Sequence, residues 1–402
     1  MKLNLLNQPF CYLLALSLSF FACQNDDSGP SKEMEGRFLR IFVSDQDSPN
    51  YYVINPSDGT LQTFEGNFPN GTVYRTPSGR FVAVINTNNN LVSFFDSGIE
   101  DHEDHVHIKG TPKWGLTKAN ANRPVHYYAH ENDLIVFNDG DGTISHVKES
   151  ELHEKSAGKI ISVGVAHHGA PVLFNNNTMA VTEKDGSVSG TLPERVKIID
   201  MEGNLLHEST IQTGGIHGEA SNGEFALFGS ASGILRVDKD GKQELIHYPA
   251  SLGENWLGTL YYGKKSNSFV GFKSKIGLYK VDPVAKVVSP IEENGNLISI
   301  AFDWEGKDLV LLYSDGKVRV LSGDNFNETA SQTLSVQFPE SGSIGAPVIT
   351  ASKDYVYISN GIAGKIDMYR KSNLNLVKEI PLPGKPAKIA LMGSIATNED
   401  SH

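Results

Sequence analysis

The feature of this 402-residue sequence that most limits its fold is a repeat of short apolar runs. Eight runs, rich in Val, Ile, Phe and Tyr and bounded by Gly, Asn or Asp, begin about 40 to 50 residues apart. They are FLRIFVSD from Phe38, FVAVINTN from Phe81, DLIVFNDG from Asp133, TMAVTEKDG from Thr178, EFALFGSASG from Glu224, SFVGFKSKIG from Ser268, DLVLLYSDG from Asp308 and YVYISNGIAG from Tyr355. Most are followed by a Gly-containing turn and a second strand, which predicts an antiparallel all-β protein.

The period of this repeat is typical of a β-propeller. Each unit has three to four predicted strands and cannot bury both of its faces alone, so neighbouring blades supply the core. We therefore predict an all-β fold, a β-propeller of eight blades of antiparallel strands. A count of seven stays open because the first run lies beside an N-terminal tether, and two packed β-sandwiches are the alternative architecture.

The two ends of the chain differ in composition from the repeats. Residues 1–22 combine a positive start with an apolar run and predict a lipoprotein signal peptide, with Cys23 as the lipidated residue. A plain secretory signal cut near Ala22 is the alternative. Residues 23–36 are expected to be a flexible tether, 37–392 a single propeller domain and 393–402 a polar tail. These features predict an extracytoplasmic lipoprotein anchored in a membrane, either periplasmic or at the cell surface.

Charge and motifs exclude several classes of function. The formal net charge is −12 and basic residues do not cluster, which argues against nucleic acid and against anionic membrane surfaces as partners. The sequence has no nucleophile elbow and no phosphate-binding glycine loop. We predict that the protein is not an enzyme, and that the membrane is reached only through the lipid anchor.

Histidines concentrate in one part of the chain: nine of the thirteen lie between His102 and His168. The stretch DHEDHVH lies in the longest interval between runs, on a predicted loop inserted between blade strands. Imidazole nitrogen and carboxylate oxygen together suit zinc. In an extended segment the side chains alternate, so that His105 and His107 point to the same side. The candidate ligands here are His102, Asp104, His105 and His107.

Three other histidine stretches precede the runs that begin at residues 133, 178 and 224 at a similar distance. They contribute His126, His167 with His168, and His217 with Glu219. Equivalent positions in successive blades lie around one rim of a propeller, so these side chains are expected to converge near the central channel. The loop with DHEDHVH is expected to be mobile and to cover the site.

Some of these positions have simpler interpretations. His167 and His168 cannot both point inward from an extended backbone, and His168 is preferred as the ligand. His130 is interpreted as a packing residue near its strand, and His153 is expected to be solvated. Glu219 is a candidate oxygen ligand, or a general base beside a metal-bound water. NDGDGT, residues 138–143, suits either calcium or a tight turn, and the turn is preferred.

The stretches DHEDHVH, RPVHYYAHENDLIVFNDGDGT, VAHHGAPV and IHGEASNGEFALFGSASGILRV together resemble the AztD-type zinc metallochaperones. Those proteins are extracytoplasmic β-propellers that bind zinc and pass it to the solute-binding protein of a zinc ABC importer. The resemblance is close from about Phe81 to Val237 and generic elsewhere. It implies zinc as the bound ion and the histidines above as its ligands. The predicted lipid anchor departs from the family pattern.

The function that we predict is an extracytoplasmic zinc metallochaperone that acts as a monomer and delivers zinc to such a solute-binding protein. A propeller scaffold for protein interaction, and a metal-dependent hydrolase or lyase, are the alternatives. Copper and nickel stay open as bound ions, because the same ligands bind them. The sequence also leaves open whether the histidines form one site or two.

Overall fold

The computed structural model describes residues 35–102, 105–340 and 345–399. Its sheets include eight with four strands each, in which every pair of neighbouring strands is antiparallel. The prediction of an eight-bladed, all-β propeller is therefore confirmed. Within the described ranges, no helix is both long enough and apolar enough to cross a membrane. Short 3-10 turns occur at Thr87–Asn89, Glu149–Glu151 and Ala250–Leu252.

In each blade, the strand nearest the central axis pairs with a second strand beside it. From blade 1 to blade 8 the inner strands are Pro386–Gly393, Thr72–Arg75, Pro124–His130, Pro171–Leu173, Ile216–Ser221, Thr259–Gly263, Leu297–Phe302 and Ile349–Ala351. In the same order the second strands are Leu39–Asp45, Phe81–Asn86, Asp133–Asn138, Met179–Glu183, Phe225–Ser230, Ser268–Lys273, Asp308–Tyr313 and Tyr355–Asn360.

The two remaining strands of each blade lie toward the outside. The third strands are Asn50–Ile54, Leu91–Asp96, Thr143–Lys148, Arg195–Ile199, Gly233–Asp238, Gly277–Asp282, Lys317–Ser322 and Lys365–Arg370. The outer strands are Leu61–Glu65, Lys113–Asn120, Lys159–Ser162, Leu205–His207, Gln243–Ile246, Val287–Glu293, Glu328–Thr333 and Leu376–Pro381. The outer strands are largely exposed, which explains their polar composition.

The apolar runs of the sequence are the second strands, not the first strands of their blades. Neighbouring blades cover both faces of a second strand, so almost every residue is buried and the run reads as continuously apolar. In most blades the inner strand is less completely buried than the second strand, and sequence periodicity alone did not separate the inner strands from loops. The residues that precede each run, including the histidine stretches, therefore form the wall of the central channel.

The core is divided among the eight junctions between blades. Each junction has its own cluster of buried side chains, such as Phe81, Val92 and Leu134 between blades 2 and 3. The ring is closed by blade 1, in which the C-terminal strand Pro386–Gly393 pairs with Leu39–Asp45. Because one blade contains both ends of the domain, the ring is stabilised by the pairing of residues that are distant in the sequence.

A small additional sheet involves both ends of the predicted domain. Ile99–Asp101 and His105–Ile108 form an antiparallel hairpin, and Asn398–Glu399 pairs in parallel with its second strand. Ordered structure thus continues past residue 392, into the segment predicted as a polar tail. At the other end, Glu35 of the predicted tether is buried and accepts hydrogen bonds from the backbone of Lys353 and Asp354. The signal peptide and Cys23 lie outside the described residues.

The direction of the strands defines two faces of the propeller. We call the face where the inner strands begin the N face, and the face where they finish the C face. Because the strands of a blade alternate in direction, second strands end at the N face and third strands end at the C face. The position of any loop then follows from the strands that it joins.

Candidate metal centres

Three histidines from three adjacent blades meet at the N face. His126 is near the start of the inner strand of blade 3, His168 precedes that of blade 4, and His217 is near the start of that of blade 5. Their candidate ligand atoms all lie within 4.8 Å of one another. The ring centroids are 4.8 to 5.6 Å apart. We call His126, His168 and His217 the central cluster.

Irregular pairing between the inner and second strands sets the direction of two of these side chains. The register between the inner and second strands shifts between Pro124 and Tyr127 in blade 3, where His126 lies. It shifts in the same way between Ile216 and Glu219 in blade 5, where His217 lies. A β-bulge bends its strand and changes the direction of its side chains. The same register shift therefore places an imidazole near the start of the inner strand in both blades.

A glycine follows the ligand histidine in blades 4 and 5, and both glycines are required by close contacts. A Cβ atom on Gly169 would lie 2.2 Å from the ring of Phe137. A Cβ atom on Gly218 would lie 2.4 Å from the carbonyl oxygen of Gly258. Only a residue without a side chain allows these approaches. The His-Gly pairs of the sequence thus bring each imidazole close to the neighbouring blade.

Each imidazole of the central cluster has an acceptor oxygen near Nδ1. The Nδ1 atom of His168 is 2.6 Å from Oδ2 of Asp139, and that of His126 is 3.3 Å from Oε2 of Glu219. His217 donates from Nδ1 to the carbonyl oxygen of Gly258 at 2.8 Å. A neutral ring that donates its Nδ1–H to such an acceptor presents its lone pair at Nε2, the atom free to bind a metal. Acceptors of this kind orient metal-binding histidines and raise their basicity.

The spacing of the ring nitrogens suits one metal ion. The Nε2 atoms of His126 and His168 are 3.2 Å apart. A tetrahedral ion with metal–nitrogen bonds of about 2.0–2.1 Å separates two ligand nitrogens by about 3.3 Å. Three imidazole ligands leave a fourth position for water or another ligand. The central cluster therefore has the donor set of an open divalent-metal site, and its His126–His168 pair has the spacing of two ligands of one ion.

Burial and neighbouring charges act differently on two of the rings. Burial lowers the pKa of His126, but the charge and hydrogen bond of Glu219 oppose it more strongly, so that this pKa is raised above its usual value. Burial, followed by the nearby His126 and His168, lowers the pKa of His217. A lowered pKa favours the neutral ring, which is the form that binds metal.

Two predicted ligands have other partners. His167 is buried at 3% exposure, its Nδ1 is 2.8 Å from the carbonyl oxygen of Val165 and its Nε2 is 3.1 Å from Oγ1 of Thr182. With both nitrogens engaged, His167 is a structural residue outside the cluster, and His168 is the member of the pair that joins it. Glu219 orients His126 and is not in the group of ligand atoms.

Asp139 is a residue of the site that sequence reasoning missed. NDGDGT was interpreted as a turn, and the structure does place it between the second and third strands of blade 3. Asp139 nevertheless also orients His168, and it is buried on the side chain to 9% exposure. Its position offered a signal, because second strands end at the N face, where the inner-strand histidines begin.

A second cluster is formed by the inserted hairpin, which runs from Ile99 to Ile108. Candidate ligand atoms of His102, His105 and His107 lie within 4.8 Å of one another. The backbone N–H of His102 donates to the carbonyl oxygen of His105 at 3.0 Å. We call these three histidines the hairpin cluster. Asp104, the other candidate in this stretch, lies outside the described residues.

The hairpin is a paired and packed element, where the sequence predicted a loop. His105 and His107 share one side of their strand, as the alternation of side chains predicts, while Val106 is fully buried on the other side with Phe38 and Ile99. Glu100 accepts a hydrogen bond from Lys109 at 2.9 Å and lies 3.3 Å from Nε2 of His102. The cluster is therefore held by local strand pairing.

The two clusters lie on opposite faces of the propeller. The hairpin follows the end of the third strand of blade 2, Leu91–Asp96, and therefore lies at the C face. The central cluster lies at the N face, where inner strands begin. The expectation that the DHEDHVH segment covers the central site is wrong. A strand of six residues spans about 20 Å, so one ion cannot contact both clusters.

Two histidines outside the clusters pair with carboxylates. His146 is 2.6 Å from Asp133 through Nε2, and His153 is 2.8 Å from Asp96 through Nε2. The prediction that His153 is merely solvated is wrong, because Asp96 also binds Arg80 and fixes this group between blades 2 and 3. His130 lies at the end of the inner strand of blade 3, away from the central cluster.

Comparison with known proteins shows the same fold over nearly the whole chain. No protein-family model matches the sequence. The crystal structure of AztD from Citrobacter koseri matches with a TM-score of 0.80 and 21% identity, over 91% of this chain and 100% of that one. The structure of apo AztD from the same organism gives 0.79 and 21%, over 89% and 98%.

A protein of unknown function from Desulfotomaculum acetoxidans is a more distant match, with a TM-score of 0.51 and 11% identity, over 90% of this chain and 99% of that one. At these identities the likeness shows a shared fold. The two strongest of these matches are structures of AztD, the protein whose family the histidine motifs resemble.

Proposed function

We propose that this protein is an extracytoplasmic zinc metallochaperone, which captures zinc and passes it to the solute-binding protein of a zinc ABC importer. The observation that carries the proposal is the central cluster. Three imidazoles from separate blades converge there, and each has an acceptor on Nδ1. A surface histidine has no need of such support. The AztD fold and the resemblance of the motifs to AztD-type proteins point to the same function.

We assign storage of zinc to the central cluster and exchange of zinc to the hairpin cluster. The central ligands are mostly buried and prealigned, which favours tight binding and slow release. His102 of the hairpin cluster is 44% exposed on its side chain, and all three of its ligands come from one hairpin. An exposed site of this kind accepts a ligand from another protein more readily. Zinc then moves by ligand exchange without becoming a free ion.

The alternative of a hydrolase or lyase requires a base beside a metal-bound water. Glu219 was the candidate for this role. Its carboxylate is 3.3 Å from Nδ1 of His126, on the side of the ring away from Nε2. It therefore supports a ligand, and this placement favours binding over hydrolysis.

The location and the acceptor form part of the same proposal. Lipidation of Cys23 would hold the propeller at a membrane outside the cytoplasm, as a periplasmic or surface protein. Zinc collected there would be delivered inward through a soluble acceptor, and the propeller would act as a monomer. Metabolic labelling with a fatty-acid analogue tests the anchor: wild type is expected to be labelled, and Cys23→Ser unlabelled.

Zinc titration against a competing chelator tests the binding proposal. Wild type is expected to bind two zinc ions with different affinities. His126→Ala is expected to remove the tighter site, and the triple substitution of His102, His105 and His107 by Ala the weaker one. The triple variant keeps the backbone that pairs with Asn398–Glu399, which a deletion would remove. His247→Ala changes an exposed histidine outside both clusters and serves as the control.

Transfer is tested with a zinc importer's solute-binding protein as acceptor and a chelator as trap. Direct transfer is expected to be faster than spontaneous release and insensitive to the trap. The triple variant is expected to slow transfer while zinc still binds the central cluster. Weak zinc binding that none of these substitutions changes would instead favour the scaffold function.

A further inference from the structure

A cavity of about 240 Å³ lies in the central channel at the C face, away from the central cluster. It is lined by residues 73–75, 350–351 and 389–391 of the inner strands of blades 2, 8 and 1, and by residues 302–304 at the end of the inner strand of blade 7. Arg75 ends the inner strand of blade 2, and Trp304 comes shortly after that of blade 7. These blades lie on different sides of the channel, so the arginine side chain reaches across it.

Arg75 is fixed in place without a carboxylate partner. Its Nη2 donates to the carbonyl oxygen of Trp304 at 2.9 Å, and its guanidinium lies 3.9 Å from the centre of the Trp304 ring. Among the residues that the structure describes, no ion pair is formed by Arg75. This differs from Arg80 in the same blade, which binds both oxygens of Asp96.

Asp303, an acidic residue that lines the cavity, already has hydrogen-bond partners. Asp303 accepts a hydrogen bond from Lys371 at 2.6 Å on Oδ2, and from the backbone of Lys307 at 2.8 Å on Oδ1. Lys371 also donates to Oδ2 of Asp308 at 2.9 Å, so this lysine is shared between two carboxylates. Burial lowers the pKa of Arg75 to about 10, against the opposing charges of Asp303 and Asp101. The guanidinium is thus held in a poorly solvated position, where these two carboxylates act on it only at a distance and no described residue forms an ion pair with it.

The hydrogen-bonding pattern leaves one edge of the planar guanidinium with unused N–H donors. A guanidinium has five N–H donors, arranged as two parallel pairs with one further donor. One bond from Nη2 to Trp304 uses a member of one pair and leaves the other pair complete. A parallel pair of donors matches the two oxygens of a carboxylate. The indole of Trp304 keeps the guanidinium plane in one orientation.

We propose that the C-face cavity is a binding site for a small carboxylate anion, held in bidentate fashion by Arg75 against Trp304. The cavity has room for an anion of a few carbon atoms beside the guanidinium. The site is separate from both histidine clusters and does not depend on zinc. Bound anion would join blades 2 and 7 across the channel through Arg75.

Titration with sodium acetate at constant ionic strength tests this proposal, by calorimetry and by tryptophan fluorescence. Wild type is expected to show saturable binding and a change in emission, because Trp304 is one of three tryptophans in the chain. Arg75→Met is expected to lose at least about tenfold in affinity, as for loss of hydrogen bonds to a charged group. Arg75→Lys keeps the charge but lacks the paired donors, and should bind about tenfold more weakly.

Matched controls separate the site from general effects of charge and folding. Arg40→Met removes another guanidinium whose pKa is lowered by burial, but Arg40 donates to backbone carbonyls of Arg37 and Leu39 and does not line the cavity. This variant is expected to bind acetate like wild type. Trp304→Phe is expected to lose the fluorescence response and keep a heat of binding. Circular dichroism verifies that each variant is folded.

Three outcomes would overturn the proposal: no saturable binding by wild type, equal binding by folded Arg75→Met, or equal loss in Arg40→Met. Sulfate and chloride are the comparison anions. Weaker binding of both than of acetate supports recognition of a carboxylate, whereas tighter binding of sulfate would contradict it. Zinc affinity is measured on the same variants and is expected not to change, so this test is independent of the metallochaperone proposal.

Discussion

The central cluster and the hairpin cluster use the same side chain and differ in how the chain holds it. The central cluster takes one histidine from each of blades 3, 4 and 5, and each imidazole is oriented by an acceptor from elsewhere in the fold. The hairpin cluster takes three histidines from one short hairpin at the other face. Its position depends on strand pairing and on the small apolar contact of Val106 with Phe38.

This difference suggests a way in which one protein can both retain a metal and release it. Ligands held by a rigid ring of blades need little reorganisation to bind an ion, so binding is tight. Ligands on a surface hairpin lose more conformational freedom on binding and are accessible to a partner's ligands. The division of roles in our proposal follows from this contrast, and the predictions below test it.

The largest effect is expected from removal of a central ligand. His168→Ala should lower the affinity of the tighter site by about 100- to 1000-fold, since structural zinc sites gain about 10–16 kcal/mol from a complete ligand set. The hairpin cluster should be unaffected. Competition with a chelator of known affinity measures both sites. A similar loss at both would mean that they are not independent.

A smaller effect is expected from the acceptors behind the central ligands. Asp139→Asn and Glu219→Gln should each weaken the tighter site by about 10- to 100-fold, because a carboxylate behind a ligand histidine orients it and raises its basicity. Asp141→Asn changes a carboxylate in the same turn that accepts from Thr143, and should leave the affinity unchanged. Equal affinities of all three variants would remove the basis for calling the site prealigned.

Gly218→Ala tests the contact between blades 5 and 6. The new Cβ would lie 2.4 Å from the carbonyl oxygen of Gly258, which accepts the hydrogen bond from His217. We expect the shift of that oxygen to weaken zinc binding at the central cluster by about tenfold. Gly295→Ala, where the nearest atom would be 3.8 Å away, is the matched control. Isothermal titration of the two variants compares them directly.

The smallest effect on the tighter site is expected from Val106→Ala in the hairpin. Loss of a fully buried side chain should destabilise the hairpin by about 1–3 kcal/mol. Hydrogen exchange should then become faster at the backbone amides of residues 99–108 and stay unchanged in the inner strands. Zinc binding should weaken at the hairpin cluster only. Faster exchange throughout blades 3 to 5 would show that the clusters are coupled through the fold.

Much of the architecture was predictable because of where burial occurs. Second strands such as Phe81–Asn86 are covered on both faces, so their apolar runs are unbroken and their period counts the blades. Inner strands such as Thr72–Arg75 are short and partly polar, and their contacts are made with other blades. Their existence could not be deduced from local pattern. For this reason the apolar runs were interpreted as the first strands of their blades, although they are the second strands.

The choice between His167 and His168 shows the same limit. The sequence indicates that these adjacent residues of an extended chain point to opposite sides. It does not indicate which of the two sides faces the channel. Thr182 and Val165 hydrogen-bond to the ring nitrogens of His167, whereas Asp139 orients His168. These partners come from different strands and meet only when the blades fold. Asp139 itself was interpreted as a turn residue for the same reason.

The sequence by itself determined the repeat, the all-β class and the grouping of His102, His105 and His107, because each depends on the alternation and spacing of neighbouring residues. The phase of the repeat indicated His126, His168 and His217 as candidates, but only the tertiary structure decided that these three meet without His167, and that the two clusters lie on opposite faces. Those facts depend on the direction of strands and on the closure of the ring by the pairing of residues 386–393 with residues 39–45. Contacts between residues far apart in the sequence leave no local pattern from which they can be predicted.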